Sequence, residues 1–375
     1  MRMTLLLCLL TLGPYAGWRL ASGLGWRRGA RVLAAMAALL ALVHYPLLAQ
    51  RFGSLASLEI PRPLLVAGQV AATFVLLLAV LLLVRDAVAG IARLLSRRQA
   101  VPMRASSAAL AGIALLAASL GVWQAIKVPA VNRIEVVLPG LDPAFDGYRL
   151  AHLTDIHISR LLQGDWLARV VARTNALQAD AIVISGDLVD GPPSDRAGDF
   201  PPYARLVARD GVFAVTGNHE YYSGYAQWMP LFARLGLDLL TNEHRVLRRG
   251  DAALVIAGVP DRQSAAYQLP QPDVARAVAG APAGAPVVLL DHRPDTIVDN
   301  HRHGIALQLS GHTHGGHIVG FDRLVARFNG GFVSGRYDVA GTVLWVGNGS
   351  GLWPGFAVRL GKPSQITEVT LRAPR

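Results

Sequence analysis

Gly311-His312-Thr313-His314-Gly315-Gly316-His317 places three imidazoles within six residues, separated by nothing bulkier than threonine and glycine. Three such rings cannot all be packed into an apolar core with their nitrogens satisfied, so the stretch needs an outside partner. Neutral imidazole is a common ligand of borderline transition metals. The flanking glycines let the backbone turn tightly enough to aim two rings at one small volume. A metal site is the expectation, and a solvated His-rich loop is the alternative at this point.

Working outward, four further apolar blocks end in the same kinds of residue. Residues 148–154 lead into Asp155-Ile156-His157, and Ala181–Ser185 leads into Gly186-Asp187-Leu188-Val189-Asp190-Gly191. Residues 212–216 lead into Gly217-Asn218-His219-Glu220, Val287–Leu290 into Asp291-His292, and Ile305–Ser310 into the opening stretch. Short apolar runs bounded by turn residues read as buried strands. Sites in α/β folds lie at the carboxyl ends of strands, so five such endings would converge on one crevice. Taken singly, each has a plain structural reading. Asp caps turns and helices, Asn218 after Gly217 suits a left-handed turn, and Asp291-His292 alone would be a surface pair. Their order, with the double histidine last, makes coincidence a poor account.

The ordered set D-I-H, G-D-L-V-D-G, G-N-H-E, D-H and G-H-T-H resembles the signature of the calcineurin-like metallophosphoesterases, and in particular their bacterial membrane-attached branch. The resemblance covers roughly residues 138–371. It implies an αββα fold, a sandwich of two β-sheets flanked by helices, with a two-metal centre at the strand ends. On matching positions, Asp155, His157, Asp187 and His314 would hold one metal, and Asp187, Asn218, His292 and His312 the other, with Asp187 bridging. Two cations so bridged suit an in-line displacement at phosphorus, with a hydroxide held between them as nucleophile. The mixed oxygen and nitrogen set suits two divalent ions, Mn, Fe or Zn, without choosing among them. His219 would be the acid at the phosphate and Asp190 the carboxylate that fixes ligand geometry. Glu220, Tyr221 and Tyr222 either line the cleft or simply pack.

Two departures stand out. The branch commonly has Gln after G-H-T-H-G-G, where this chain has His317, so His317 is read as a cleft residue and not as a ligand. The related pyrophosphatases acting on the lipid A precursor carry Arg where this chain has His219, which argues against that reaction.

The N-terminal third has a different texture. Net charge is +11 over 375 residues, and all of it resides before residue 130, where thirteen basic side chains face only Glu59 and Asp86. These arginines sit between apolar runs at about residues 3–18, 32–49, 64–84 and 107–126, without aromatic interleaving, so they read as loops flanking membrane spans and not as a nucleic-acid surface. The first run is short and broken by Pro14; a signal-like start followed by three spans is the alternative to four. Arg19, Arg27, Arg28 and Arg31 in one loop, and Arg85, Arg93, Arg97, Arg98 and Arg104 in another, place those loops in the cytoplasm by the positive-inside rule. The chain after the fourth run would then lie outside. The lone Cys8 provides no disulfide framework.

The expectation is therefore a transmembrane region over residues 1–129 and a metallophosphoesterase domain over 130–375. The protein would be a multi-pass inner (plasma) membrane phosphoesterase with an extracytoplasmic catalytic domain, acting on phosphodiesters before monoesters. A lipid or cell-envelope phosphate ester would be a fitting substrate. The alternatives are an envelope head-group phosphatase or pyrophosphatase, and a non-catalytic metal-binding scaffold. Nucleic acid is a poor partner for an exported part with no net positive charge.

Overall fold

The computed structural model describes residues 2–52, 57–96 and 103–374. Arg97 and Arg98, used above to orient the third and fourth spans, lie outside the described residues. Contacts divide the chain into a helical unit, Met1–Gln124 with Pro354–Leu360, and an α/β unit, Ala125–Trp353 with Gly361–Arg375.

The four apolar runs form four helices: α1 (Arg2–Gly23), α2 (Arg28–Phe52), α3 (Arg62–Ser96) and α4 (Met103–Ile126). Each outruns its apolar stretch, because helix propagates through flanking Arg, Gln and Ala at little cost once the buried part has formed. Among the described residues, three segments are long and apolar enough to cross a membrane: Arg28–Arg51, Arg62–Leu95 and Met103–Ile126. α1 carries Pro14 within it. It packs closely on α2, since a Cβ at Gly17 would lie 2.2 Å from the Ala34 carbonyl oxygen and one at Gly13 2.9 Å from Leu39 Cα. Small residues four apart are a standard route to such backbone approach between membrane helices.

Polar contacts also tie the helices together. Asp86 accepts from Tyr15 Oη at 2.8 Å and Arg19 Nε at 2.7 Å, while Arg85 donates to Asp86 at 2.8 Å and to Ser107 Oγ at 2.7 Å. The returning stretch Pro354–Leu360 is held in the same unit. Gln69 donates to the Pro354 carbonyl and accepts from Ala357 N–H at 3.0 Å, and Arg359 N–H donates to the Gly121 carbonyl at 2.9 Å.

The α/β unit has β1 (Ala130–Val137), β2 (Arg149–Leu153), β3 (Ala181–Ser185), β4 (Val212–Val215), β5 (Asp238–Leu239), β6 (Glu243–Arg249), β7 (Ala252–Gly258), β8 (Val287–Leu290), β9 (Ile305–Ser310), β10 (Gly335–Val339), β11 (Thr342–Val346) and β12 (Gln365–Arg372). They form two six-stranded sheets, ordered β1-β12-β2-β3-β4-β5 and β10-β11-β9-β8-β7-β6. β2 to β5 run parallel in the first, and β7, β8, β9 and β11 run parallel in the second.

Successive strand residues face opposite sides, and the second sheet shows this directly. Leu254, Ile256, Val288 and Leu290 join Leu150, Val183, Phe213 and Val215 of the first sheet in one core. The residues between them, Val255, Ala257, Val287 and Leu289, pack instead with Val274 and Ala277 of the helix Val274–Val278. Strands covered on both faces read as unbroken apolar runs, which is why they were visible as short hydrophobic blocks. α5 (Gly164–Asn175) buries Trp166, Leu167, Val170 and Val171, the three-four spacing of one helix face. The polar loop after Gly191 is ordered as short turns at Pro193–Arg196, Ala197–Asp199 and Pro201–Arg205.

Candidate metal centre

The carboxyl ends of β2, β3, β4, β8 and β9 carry the candidate ligand residues, the first three strands from one sheet and the last two from the other. Asp155, His157 and His314 bring one ligand atom each within 4.8 Å of one another, and Asp187, His292 and His312 do the same. Asp187 Oδ2 lies 3.5 Å from His157 Nε2 and 3.2 Å from His292 Nε2, so this member of the second trio also reaches the first. His157 Nε2, His292 Nε2 and Asn218 Oδ1 are buried without a hydrogen-bond partner. Orphaned donors and acceptors of this kind are rare in a native core and fit a cation-binding set.

The ring nitrogens turned away from this space are occupied. His292 Nδ1 lies 2.8 Å from the Ser185 carbonyl and His157 Nδ1 3.1 Å from Asp190 Oδ2, contacts that fix each ring and leave Nε2 facing inward. Asp190, fully buried, also holds His219 Nδ1 through its other oxygen. Burial disfavours the His219 imidazolium, but Asp187 and Asp190 outweigh it and push its pKa up to about 9. His219 has ligand atoms within the same 4.8 Å limit of His157 and Asp187, and its side chain stays 13% exposed whereas that of His157 is sealed. Tyr222 and Trp353 lie beside it, with ring centroids at 5.4 and 6.2 Å. His317 is buried, 5.3 Å from the His314 ring, and belongs to none of the ligand clusters among the described residues.

The backbone here is unusual. Asp155, His157, Asp187, His312, His314 and His317 all have φ between 50° and 69°, a region that non-glycine residues rarely occupy and that costs of order 1–3 kcal/mol each. At Gly311 a Cβ would fall 2.0 Å from Thr154 Oγ1 and 2.2 Å from Asp155 Oδ2, so β9 can meet β2 here only through glycine. That approach lets His312 N–H donate to Asp155 Oδ1 at 3.0 Å.

Three supporting roles escape the sequence reading. Glu220 is fully buried and accepts backbone N–H groups from Gly217 at 2.6 Å, Leu188 at 2.5 Å and Asp187 at 3.2 Å, so its carboxylate clamps the bridging loop. Burial and Asp187 raise its pKa to about 7. Arg293 is gripped by Asp261 at 2.7 Å through Nε and places Nη1 3.0 Å from His312 Nε2. Asp291, read alone as half of a surface pair, is buried instead and accepts from Asn300 Nδ2 at 2.9 Å.

The α/β unit thus pairs two sheets with oxygen- and nitrogen-bearing side chains gathered at converging strand ends. The profile of the family described as calcineurin-like phosphoesterase matches residues 148–316. A "Transmembrane protein with metallophosphoesterase domain" from Danio rerio is 32% identical over 269 residues, 69% of this chain and 61% of that protein. A metallophosphoesterase of Campylobacter jejuni is 33% identical over 250 residues, 66% of this chain and 64% of that protein. This chain thus spans 61% and 64% of those relatives' own lengths. Among solved structures, a 5'-nucleotidase precursor from Thermus thermophilus aligns with 44% of this chain and 41% of that one, at 16% identity and a TM-score of 0.34. The chain carries a calcineurin-like metallophosphoesterase domain.

Proposed function

We propose that the chain hydrolyses phosphate esters, diesters in preference to monoesters, at a centre of two divalent cations. The observation that carries this reading is Asp187 Oδ2, 3.5 Å from His157 Nε2 and 3.2 Å from His292 Nε2, so that one carboxylate links the trio it belongs to with the other. Asp155, His157, Asp187 and His314 would hold one cation, and Asp187, Asn218, His292 and His312 the other. Mn, Fe or Zn suits that donor set, and a pair of such ions supplies Lewis acidity and a low pKa for bound water. The chain's own residues do the rest. His219, tied to Asp190 through Nδ1, would protonate the departing alkoxide or aryloxide through its other nitrogen. Glu220 keeps the Asp187 loop in register beneath it.

The test uses the full-length chain with Mn²⁺ and paired nitrophenyl phosphodiester and monoester substrates. Wild type is expected to turn over both, the diester faster, and Asp187→Ala and His219→Gln to lose at least two orders of magnitude. Undiminished turnover in Asp187→Ala would overturn the reading, and stoichiometric metal with no turnover on either ester would leave a binding scaffold in its place.

Membrane association is supported by three long apolar helices and by a relative named as a transmembrane protein. The further reading is a multi-pass inner-membrane protein whose α/β unit faces away from the cytoplasm, where lipid or cell-envelope phosphate esters are the substrates within reach. Its support is the arginine bias of the loops.

A further inference from the structure

The chain that follows His317 is left uncovered. Val319, Phe321, Leu324 and Phe328 are 64, 44, 48 and 71% exposed, and no residue of the short helix Asp322–Arg327 is buried. Residues 321, 324 and 328 recur at the spacing of one helix face, and Arg323 and Arg327 run alongside it one turn apart. A contiguous apolar patch rimmed by cations is an interaction surface.

The covalent chain indicates what covers it. Ile318 pairs with Gly361 in an antiparallel bridge, and Lys362 Nζ lies 2.8 Å from Asp322 Oδ2. Gly361 follows directly on Pro354–Leu360, the stretch that groups with the apolar helices. The apolar face is therefore pinned within a few residues of the point where the chain leaves those helices. At the other end only residues 127–129 separate α4 from β1, roughly 10 Å of extended chain. A tether that short keeps the start of β1 within about 10 Å of chain from the end of α4.

We propose that residues 319–328 dip into the interface of the bilayer that α4 crosses, with Phe321, Leu324 and Phe328 among the acyl chains and Arg323 and Arg327 at the headgroup phosphates. Interfacial helices combine these features, an apolar stripe with flanking arginines. The loop bearing His312 and His314 runs directly into this segment, with Ile318 N–H bonded to the Gly316 carbonyl at 2.6 Å and Asp322 N–H to the Ile318 carbonyl at 3.1 Å, so the surface would hold one side of the proposed metal centre at the membrane.

The test reads depth and needs no turnover, so it stands or falls apart from the phosphoesterase reading. The full-length chain with Cys8→Ser and Phe328→Cys carries an environment-sensitive fluorophore at residue 328 and is reconstituted in vesicles of phosphatidylcholine and phosphatidylglycerol. A second chain carries it at Val207→Cys, 69% exposed and ahead of β4, at the strand end opposite the site. The label at 328 is expected to be quenched at least twofold more than that at 207 by nitroxide lipids with the spin label near the headgroup, and severalfold less by aqueous iodide. Adding Phe321→Asp and Leu324→Asp should return the 328 label to the 207 values. Iodide quenching equal at the two sites overturns the proposal, and so does iodide protection without lipid quenching, which a contact with a second copy of the chain would give.

Discussion

Asp190 is a single buried carboxylate divided between two imidazoles, and that division suits it to the positioning role proposed for it. One oxygen faces His157 Nδ1 at 3.1 Å and the other His219 Nδ1, so removing the charge should disturb the proposed ligand and the proposed acid together. Asp190→Asn is expected to lower kcat by one to two orders of magnitude while metal content falls only partly. His219→Gln should lower kcat by about 10²–10⁴-fold and leave both metals bound. Metal analysis beside steady-state kinetics separates the two, and equal metal loss in both variants would merge their roles. Glu220 belongs to the same scale. Replacing it by Ala strips an acceptor from three buried N–H groups, so unfolding stability should fall by about 2–4 kcal/mol, read by denaturant titration. The residues proposed to touch a cation stand out in the sequence because each sits in a Gly-, Asp- or His-marked strand ending. The roles of Glu220, Asp261 and Arg293 could not, since a carboxylate that accepts backbone N–H groups, or one that grips an arginine 32 positions away, leaves no periodic or spacing signal.

At the scale of elements, the strand endings combine two costs that a cation would offset. Six of their residues hold left-handed backbone, and His157 Nε2 and Asn218 Oδ1 are buried without a hydrogen-bond partner. Divalent ions should therefore act as ligands of the folded state, stabilising it by up to about 4 kcal/mol at a thousandfold excess over Kd. Chelation of the full-length chain should lower the melting temperature of the α/β unit, and Mn²⁺ should restore it; no change on either step would refute a structural metal requirement. The pH dependence has a definite sign. Burial works against a charged His292, yet Asp187 and Asp155 overcome it and hold the pKa at about 10, so the metal-free ring is protonated at pH 7. It must lose that proton to ligate. Metal binding should release about one proton from this residue, and apparent affinity should rise with pH from 7 towards 9, measurable by calorimetry in buffers of different ionisation heat. The strands themselves were legible because apolar blocks closed by turn residues mark them, and the prediction for residues 212–216 differs from β4 only in its last residue. The left-handed turns were not, because Asp and His carry no residue-type signal for positive φ as strong as that of glycine.

Across the whole molecule, it is the charge distribution that argues topology. Arg19, Arg27, Arg28 and Arg31 cluster between or beside the ends of α1 and α2, whereas the connection from α2 to α3 carries Arg51 and Arg62 with Glu59. Arginine resists translocation, so the first connection should stay in the cytoplasm and the second cross. Three crossings after the first connection, past α4, the α/β unit would emerge outside, whether or not α1 spans. One part of the architecture lay beyond reach of any such reading: Pro354–Leu360, far along the chain from α4, groups with the helices through Gln69 and Gly121, and nothing in its composition announces that. The orientation is open to direct measurement. In a Cys8→Ser background expressed in a bacterial host, Val207→Cys should react with a membrane-impermeant maleimide in intact spheroplasts. Trp26→Cys, exposed in the arginine-rich connection before α2, should react only after lysis. The reverse pattern would place the metal centre in the cytoplasm, and with it the phosphate esters it could meet.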